Sequence, residues 1–389
     1  MSIYAIISEF NPFHNGHKYI IDNAKACGAD AVVCVMSGNS VQRGELAITD
    51  KYYRAEMALR CGADLVVELG FPWCSSGAEA FARSGVYIAK EFADTLIFGS
   101  ECGDIKVLSE AADICLDAAF IDEYKDTVKE NIGSAEAYFK LLESKTGRKY
   151  SSNDILGIEY IKAARQFGAE LSFEAVCRRG AGYLSRDIEE GEFQSATAIR
   201  KAISLGGIDG IETYIPRDSA EILKRAEENG DIADISSLEK SIRLFFRMTS
   251  MNKLSEIAEM DEGLASRICR ASREDLSDEL INSVRTKRYT DSRIRRAILF
   301  SLVGVKREDV ETLPQYVNLL AANSAGCKLL AAKRGKTPFA LLSKAADFPK
   351  SDLARRQAEL SERLDAIFTL ALKKEREVAD ILKKSPIIL

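Results

Sequence analysis

The first hundred residues alternate between short apolar runs and amphipathic stretches. Four of the runs are long enough to form strands. They begin at Ile3, Ala31, Leu65 and Thr95. Continuous apolar character is typical of strands whose two faces are both covered by helices, as in a parallel sheet. The tetrapeptide CGAD follows two successive amphipathic stretches, at 27–30 and 61–64, which indicates a repeated strand–helix unit. We therefore predict a doubly wound α/β domain.

Helix start and stop signals support this alternation. The first helix places Ile20, Ile21 and Ala24 on one face and stops at Gly28, because glycine readily ends helices. The second helix begins at Asp50, whose carboxylate is a good cap for free backbone N–H groups. Helices dominate residues 106–150 in this prediction. Further helices begin near Asn153 and Ser195, and a fifth strand begins at Leu171.

The pattern becomes helical in the last third of the chain. Ser236 to Glu239 has the capping-box spacing that often begins a helix, and further helices are predicted from Thr290 and between 351 and 384. The glycine-rich segment 204–235 separates the two patterns. We predict an α/β domain over 1–215 and a mainly α-helical domain over 232–389.

Composition narrows the class of protein. Hydrophobic residues make up 46% of the 389 residues, but no apolar run approaches the roughly 18 residues that span a bilayer. The amino terminus lacks the basic segment and long apolar core of a signal peptide, so we expect a cytoplasmic protein without membrane contact. The nine cysteines contain no CxxC pair, which favours reduced thiols over disulfides or a structural zinc site. No sequence feature indicates an oligomeric state.

Charge is distributed unevenly along the chain. Residues 1–230 carry 25 basic and 36 acidic side chains, a balance of −11, whereas residues 231–389 carry 29 basic and 23 acidic ones, a balance of +6. A polyanionic partner is therefore expected to meet the carboxy-terminal part first. Solvated surface charge is an equally ordinary explanation of the same difference.

Both histidines of the chain lie in the stretch NPFHNGH, at positions 14 and 17. The stretch follows the first strand and precedes the first helix, so it lies at the carboxyl edge of the sheet, where helix N-termini bind anions. Two imidazoles at this position can donate hydrogen bonds to phosphate oxygens as charge develops, and Gly16 allows close approach of the backbone. Metal binding is the competing explanation, but the stretch has no third histidine and no nearby cysteine.

The segment His14-Asn15-Gly16-His17 resembles the HxGH motif of the nucleotidyltransferase superfamily. Several further segments resemble one bacterial family within it, the tRNA(Met) cytidine acetate ligases, over nearly the whole chain. These segments are 10–17, 36–39, 42–44, 98–101, 153–159, 195–200, 287–290 and 293–294. The resemblance implies a Rossmann-like fold and a reaction in two steps. ATP and acetate give acetyl-adenylate and pyrophosphate, and the wobble cytidine of elongator tRNA(Met) then takes the acetyl group and releases AMP.

The resemblance and the positions of the motifs predict the site residues. His14 and His17 are expected to stabilise charge on the phosphate during the first step. The expected nucleotide contacts are Ile7, Ser8, Glu9, Phe10, Asn11, Pro12, Phe13, Asn15, Gly16, Lys18, Tyr19, Ile20, Gly99, Asn153, Arg178, Arg179, Ser195, Thr197 and Arg200. The expected substrate contacts are Gln42, Arg43, Arg288, Arg293 and Arg296. Helix capping by Asn153, Ser195 and Thr197 is the plain structural alternative. We assign no metal ligands and expect Mg²⁺ to accompany ATP.

A basic cluster lies between Arg285 and Arg307, with eight basic residues and a single acid, Asp291. Such density suits the phosphates of a nucleic acid, and Tyr289 is placed to stack on a base. A solvated helix surface explains the same composition. Two further functions stay open at this point. One is an adenylyltransferase that modifies a small cofactor precursor, and the other is a tRNA-binding protein without catalytic activity.

Overall fold

Strands from both ends of the chain form one mixed sheet. The structure is a computed structural model that describes residues 1–128, 134–177, 193–274, 279–344 and 347–389. Its strands are β1 (Ile3–Ser8), β2 (Ala31–Ser37), β3 (Leu65–Leu69), β4 (Thr95–Ser100), β5 (Ser172–Cys177), β6 (Tyr316–Ala322), β7 (Ala340–Leu342) and β8 (Ile387–Ile388). The strand order is β5-β4-β1-β2-β3-β6-β7, and β8 pairs with β6. The first five strands are mutually parallel, and β6 runs antiparallel to β3.

Helices cover both faces of this sheet. Those before residue 230 are α1 (Asn15–Ala26), α2 (Lys51–Arg60), α3 (Ala78–Ala89), α4 (Ile105–Leu116), α5 (Ala118–Val128), α6 (Ser134–Thr146), α7 (Ser152–Gln166), α8 (Ala196–Gly206) and α9 (Arg217–Glu228). Later helices are α10 (Glu239–Met248), α11 (Met251–Ser255), α12 (Glu262–Ala271), α13 (Leu280–Val284), α14 (Asp291–Val303), α15 (Arg307–Glu311), α16 (Ser324–Lys333), α17 (Asp352–Leu370) and α18 (Val378–Leu382). In the part of the chain that the structure describes, none is long and apolar enough to cross a membrane.

Side chains of β1 alternate between the two helical layers. Ile3, Ala5 and Ile7 belong to the core that includes α3, α4 and α7, whereas Tyr4 and Ile6 belong to the core that includes α1, α2, α8 and α9. Successive residues of a strand point to opposite faces, so an apolar run without polar interruptions is required here. The observed strands β1 to β5 and the helices on both faces of the sheet confirm the predicted α/β class and the five predicted strands.

Helix caps explain several predicted boundaries. Asp50 accepts hydrogen bonds from the N–H groups of Tyr52 and Tyr53, and Thr290 caps α14 in the same manner. The predicted capping box at Ser236 is wrong, because Asp234 accepts the Ser236 N–H and begins a short 3-10 helix instead. The cap failed as a prediction because an equally good capping residue lies two positions earlier.

The carboxy-terminal region is mainly helical but also contributes β6, β7 and β8 to the sheet. These three strands were not predicted, since β7 and β8 are very short and β6, although seven residues long, lies within otherwise helical sequence. The glycine-rich segment 204–235 also packs closely. It contains α9, and its Ile208, Ile211 and Ile215 are buried in the same core as α1 and α2. The division into domains at 215 and 232 stays a prediction.

Candidate functional site

The loop between β1 and α1 crosses the carboxyl end of the sheet where the strand order changes direction. The chain passes from β1 to β2 on one side and later returns to β4 on the other side. Ligands of doubly wound sheets bind in the crevice that forms at such a point. The cleft at this position, between the carboxyl ends of β1 and β4, contains both histidines and Gly99.

The two imidazole rings stack on one another with their centroids 3.7 Å apart. His14 is the N-cap of α1, and its Nδ1 accepts the backbone N–H of Gly16 at 3.0 Å. The Nδ1 of His17 accepts the backbone N–H of His14 at 3.2 Å. A neutral imidazole carries its proton on the nitrogen that does not accept, so both rings are donors at Nε2. The helix N-terminus adds partial positive charge at the same place.

Packing holds the rings in this arrangement. The ring of His17 contacts the rings of Phe10 and Phe13 at centroid distances of 4.9 and 5.5 Å. A Cβ atom at Gly16 would lie only 2.8 Å from Cε1 of His14. Glycine is therefore needed for this position of the His14 ring, which lies against the backbone of Gly16. From the sequence alone, the glycine was expected to allow close approach of the backbone to a ligand.

Two buried polar atoms at the end of β1 lack a hydrogen-bond partner among the described residues. They are Nδ2 of Asn11 and Oγ of Ser8. Asn11 is 1% exposed, and its Oδ1 accepts the N–H of Ile48 at 2.8 Å, which fixes the direction of the amide group. Buried polar groups are almost always paired, and an unmade hydrogen bond costs about 1–3 kcal/mol. Both residues line the cleft, so a bound ligand is the natural partner.

Glu9 lies in the loop that follows β1 and contributes a carboxyl group to the wall of the cleft. Its Oε1 accepts the backbone N–H of Gln42 at 2.9 Å. Burial raises the pKa of Glu9, while Arg200, Arg43 and the bond from Gln42 act in the opposite direction. A half-buried carboxyl group with a raised pKa is frequent at functional sites.

One half of the cleft is apolar and lies on the α3 and α7 side of the sheet. Its side chains are Ile7, Phe81, Phe98, Leu156 and Tyr160. The rings of Phe98 and Tyr160 pack at 5.6 Å, and α7 approaches β4 closely at Gly157. Asn153 lies at the rim of this half and donates to Oε1 of Glu101 at 2.6 Å. The other half lies on the α1 side and contains the imidazoles.

The structure brings together in one cleft both histidines, Gln42 and eight of the nineteen residues predicted for the nucleotide. The predicted residues that line the cleft are Ile7, Ser8, Glu9, Phe10, Asn11, His14, His17, Ile20, Gln42, Gly99 and Asn153. Gly16 and Tyr19 line an adjoining side pocket that shares His14, His17, Ile20 and Gly99. Sequence reasoning missed Phe81, Phe98, Leu156, Tyr160 and Ala196 in the cleft, because apolar residues at helical or strand spacing indicate core packing equally well.

Other predicted residues do not line the cleft among the described residues but support it from behind. Phe13 is buried in the core, Asn15 donates to the carbonyl of Thr213 at 2.8 Å, and Lys18 pairs with Asp22. Pro12 is buried beside them in the same loop. Arg178 and Arg179 lie outside the described residues.

The N-terminus of α8 meets the cleft at Ala196. Ser195 caps this helix by accepting the N–H of Ala198 at 3.0 Å, as the structural alternative foresaw. Thr197 is half-buried in the first turn. Arg200 donates to the carbonyl of Asn11 at 2.8 Å and to Glu45 at 2.8 Å, so it holds the histidine loop in place.

The basic cluster is largely paired within the fold. Arg293 donates to Asp261 at 2.9 Å, and Arg296 donates to Glu259 at 2.9 Å. Arg288 lies 3.9 Å from Asp261, and its side chain is 52% exposed. The expectation that Tyr289 stacks on a base is wrong, because this residue is 4% exposed and its hydroxyl donates to Asp261 at 2.7 Å.

The loop that carries Gln42 and Arg43 packs directly on α14. A Cβ atom at Gly44 would lie 2.4 Å from the backbone nitrogen of Arg296. Glu45, in the same loop, pairs with Arg200 of α8 and with Arg295 of α14 at 2.8 and 3.0 Å. The cleft and the carboxy-terminal helices are therefore joined by direct contacts. No group of three or more His, Cys, Asp or Glu side chains placed to hold a metal ion occurs in the described ranges.

Comparisons with known proteins agree with this geometry. The model of the HIGH nucleotidyl transferase family matches residues 1–380. A tRNA(Met) cytidine acetate ligase of Caldanaerobacter subterraneus subsp. tengcongensis is 36% identical over 395 residues, and one of Acetivibrio thermocellus is 35% identical over 402 residues. Each match covers 96% of both chains. Crystal structures of Thermotoga maritima TmcAL, apo and bound with alpha-thio ATP, match all of both chains at 30% identity, with TM-scores of 0.93 and 0.91.

Proposed function

The chain belongs to the tRNA(Met) cytidine acetate ligase family of the HIGH nucleotidyl transferases, and from this premise we propose that it activates acetate with ATP and acetylates tRNA(Met). The acetyl group goes to the exocyclic amine of the wobble cytidine, which becomes N4-acetylcytidine. One observation supports the site more than any other. Both imidazoles accept a backbone N–H at Nδ1, which leaves Nε2 as the donor of each neutral ring, and both lie at the N-terminus of α1 beside the switch point of the sheet. Helix N-termini at such a point are suited to bind a triphosphate.

The first step is attack of an acetate oxygen on the α-phosphorus of ATP. The bond between that phosphorus and the bridging oxygen of pyrophosphate breaks, and pyrophosphate leaves with the electron pair. Negative charge increases on the nonbridging oxygens during this exchange, and preorganised donors that point at those oxygens lower the barrier. His14 and His17 have this role, and no covalent intermediate with the protein is formed.

The second step is attack of the cytidine amine on the acetyl carbon of acetyl-adenylate. The bond from the acetyl carbon to the phosphate oxygen breaks, and AMP leaves. The tRNA approaches the cleft from the side of the carboxy-terminal helices, where Arg288, Arg293 and Arg296 lie. Gln42 lines the cleft, and Arg43 is the next residue of the same loop. The contacts between Glu45, Arg200 and Arg295 support this view, because they connect these helices to the histidine loop.

The proposed nucleotide contacts fall into two groups, one for the phosphate or acyl group and one for the nucleoside. Asn11 and Ser8 give their unpaired polar atoms to the phosphate or the acyl group, and Gly99 and Asn153 line the part of the cleft proposed for the nucleoside. Ser195, Thr197 and Arg200 act through the position of α8 and of the histidine loop. Mg²⁺ enters with the triphosphate as part of the substrate. We place the reaction in the cytoplasm, where ATP and tRNA occur.

The test is incubation of the protein with ATP, labelled acetate and bacterial tRNA, followed by mass analysis of the tRNA nucleosides. We expect label in N4-acetylcytidine of tRNA(Met). His17→Asn should reduce the yield at least 100-fold, since an amide oxygen can replace Nδ1 as the acceptor for the N–H of His14 but places no donor at Nε2. His17→Ala should abolish it.

Two other outcomes would contradict the proposal. AMP attached to a small molecule, with no label in tRNA, would indicate an adenylyltransferase of a cofactor precursor. Binding of tRNA without consumption of ATP would indicate a binding protein. Thermal melting of His17→Asn and of the unaltered chain at equal concentration shows whether a loss of activity reflects unfolding.

A further inference from the structure

The second step of the proposed reaction requires a group that accepts a proton. An exocyclic amine that attacks an acetyl carbon forms a new N–C bond and must lose one proton before the amide is complete. The amine of cytosine is a weak nucleophile, because its lone pair is delocalised into the ring. A base at the site therefore increases the rate of this step substantially, by about 10²–10⁴-fold for typical general bases. This inference rests on the proposed function.

The two histidines are poorly suited to accept that proton. Each Nδ1 already accepts a backbone N–H, from Gly16 and from His14 respectively. Each Nε2 carries the proton of the neutral ring and therefore has no lone pair available in the ring plane. Their arrangement makes them donors to the phosphate, which is the role that the first step requires.

Glu9 is a carboxyl group in the same cleft, five residues before His14. It lies on the exit from β1, between Ser8 and the buried ring of Phe10, and lines the cleft together with both histidines and Gln42. The backbone N–H of Gln42 holds its Oε1 at 2.9 Å. One oxygen is thus anchored, as a base that must be correctly oriented requires.

The backbone of Glu9 is also fixed. Its carbonyl accepts a hydrogen bond of 2.7 Å from Nη1 of Arg54, a side chain that is completely buried. The same guanidinium donates to the carbonyls of Ser37 and Thr49 at 3.1 Å. Arg54 therefore binds the ends of β1 and β2 together below the cleft, and the carboxyl group of Glu9 is held on a rigid base.

Charged groups from two parts of the chain act on Glu9. Arg200 of α8 and Arg43 of the loop after β2 favour its ionised form, and Glu45 of the same loop opposes it. Burial has the largest effect and raises the pKa above the ordinary value for glutamate. A carboxylate that is desolvated in this way is a stronger base than one in water, and the adjacent arginines favour its ionised form.

We propose that Glu9 is the general base of acetyl transfer and accepts the proton that the cytidine amine loses. In this step the amine nitrogen forms a bond to the acetyl carbon, and the bond between that carbon and the phosphate oxygen of acetyl-adenylate breaks. AMP leaves with the electron pair, and the proton passes from the amine to the carboxylate of Glu9. The proton returns to solvent when products leave. The first step does not use this group, because acetate attacks as an anion.

The variant Glu9→Gln tests the proposal, since the amide keeps an oxygen for the N–H of Gln42 but cannot accept a proton. Two reactions are measured separately. Acetate-dependent exchange of labelled pyrophosphate into ATP reports the first step, and transfer of label from acetate to tRNA at saturating ATP reports both steps. Glu91→Gln is the matched control, since it removes a half-buried carboxylate at the opposite end of the sheet.

We expect Glu9→Gln to keep exchange within about threefold of the unaltered chain and to lose transfer by 10²–10⁴-fold. The transfer rate of the unaltered chain should rise with pH as Glu9 ionises, and this rise should be absent in Glu9→Gln. Transfer by Glu9→Gln at the unaltered rate would overturn the inference. An equal loss of exchange and transfer would also overturn it, because Glu9 would then belong to ATP binding. Absence of exchange in the unaltered chain would instead refute the proposed function itself.

Discussion

Replacement of Gly16 by alanine should separate activity from stability. Gly16 is the second residue of α1, and its backbone conformation is one that alanine adopts without strain. The added Cβ would lie 2.8 Å from Cε1 and 3.0 Å from Nδ1 of His14. Carbon atoms in contact are normally at least about 3.5 Å apart, so the imidazole must retreat by about 0.7 Å or rotate.

The magnitude follows from what this movement breaks. The displaced ring loses the hydrogen bond from the Gly16 N–H, worth about 1 kcal/mol, and alanine gains up to about 1 kcal/mol in helix propensity. The net change in the free energy of unfolding is therefore close to zero. The donor at Nε2 of His14 no longer meets the phosphate, and loss of one such donor costs about 10²–10³-fold in rate, or about 2.7–4 kcal/mol.

The assay is acetate-dependent exchange of pyrophosphate into ATP, measured beside thermal melting of the same sample. Gly206→Ala is the control, because this glycine also lies in a helix, α8, and a Cβ there has no atom within 4 Å. Full exchange activity in Gly16→Ala would refute the assignment of His14 to charge stabilisation. A large loss of melting temperature would instead show that the histidine loop cannot adjust, and it would contradict the expected near-zero change in the free energy of unfolding.

Two further predictions concern groups outside the cleft. Burial beside Glu68 raises the pKa of Asp365 from 3.8 to about 6. The folded state therefore binds the proton of this carboxyl group more tightly than the unfolded state does. The free energy of unfolding should fall by on the order of 2 kcal/mol as the pH rises from about 4 to about 6. In denaturant unfolding measured at several pH values, Asp365→Asn should remove this dependence of the free energy of unfolding on pH between about 4 and 6. An unchanged dependence on pH would show that another group is responsible. Arg288→Gln should reduce the slope of log affinity for tRNA against log salt by about 0.7–0.9. Arg296→Gln removes the 2.9 Å ion pair with Glu259 inside the fold, so it should lower the melting temperature and leave that slope unchanged. The opposite assignment of effects would place Arg296 at the RNA.

Local sequence patterns were sufficient for much of the fold. Strands β1 to β4 were predictable because both of their faces are buried. The caps at Asp50 and Thr290 were predictable because capping depends on atoms two or three residues away. The strand β6 was not, since its pairing with β3 depends on residues more than two hundred positions earlier. The capping box at Ser236 failed for a local reason, because a competing cap lies at Asp234.

The candidate site divides in the same manner. The position of the histidines between a strand and a helix was evident from the sequence alone. The expectation that they donate hydrogen bonds to phosphate oxygens followed from that position. The tautomers were not, because they depend on which nitrogen accepts each backbone N–H. The apolar half of the cleft was also hidden, since Phe81, Leu156 and Tyr160 have the spacing of ordinary core residues.

The order of strands, helices and motifs was determined by the sequence itself, because periodicity and capping act between residues that are close in the chain. Which charges are available to a ligand was decided only by the tertiary structure. Arg296 pairs with Glu259, which lies 37 residues earlier in the chain. The hydroxyl of the buried Tyr289 donates to Asp261, which lies 28 residues earlier. Ion pairs and burial depend on distances in space, and no local rule contains them.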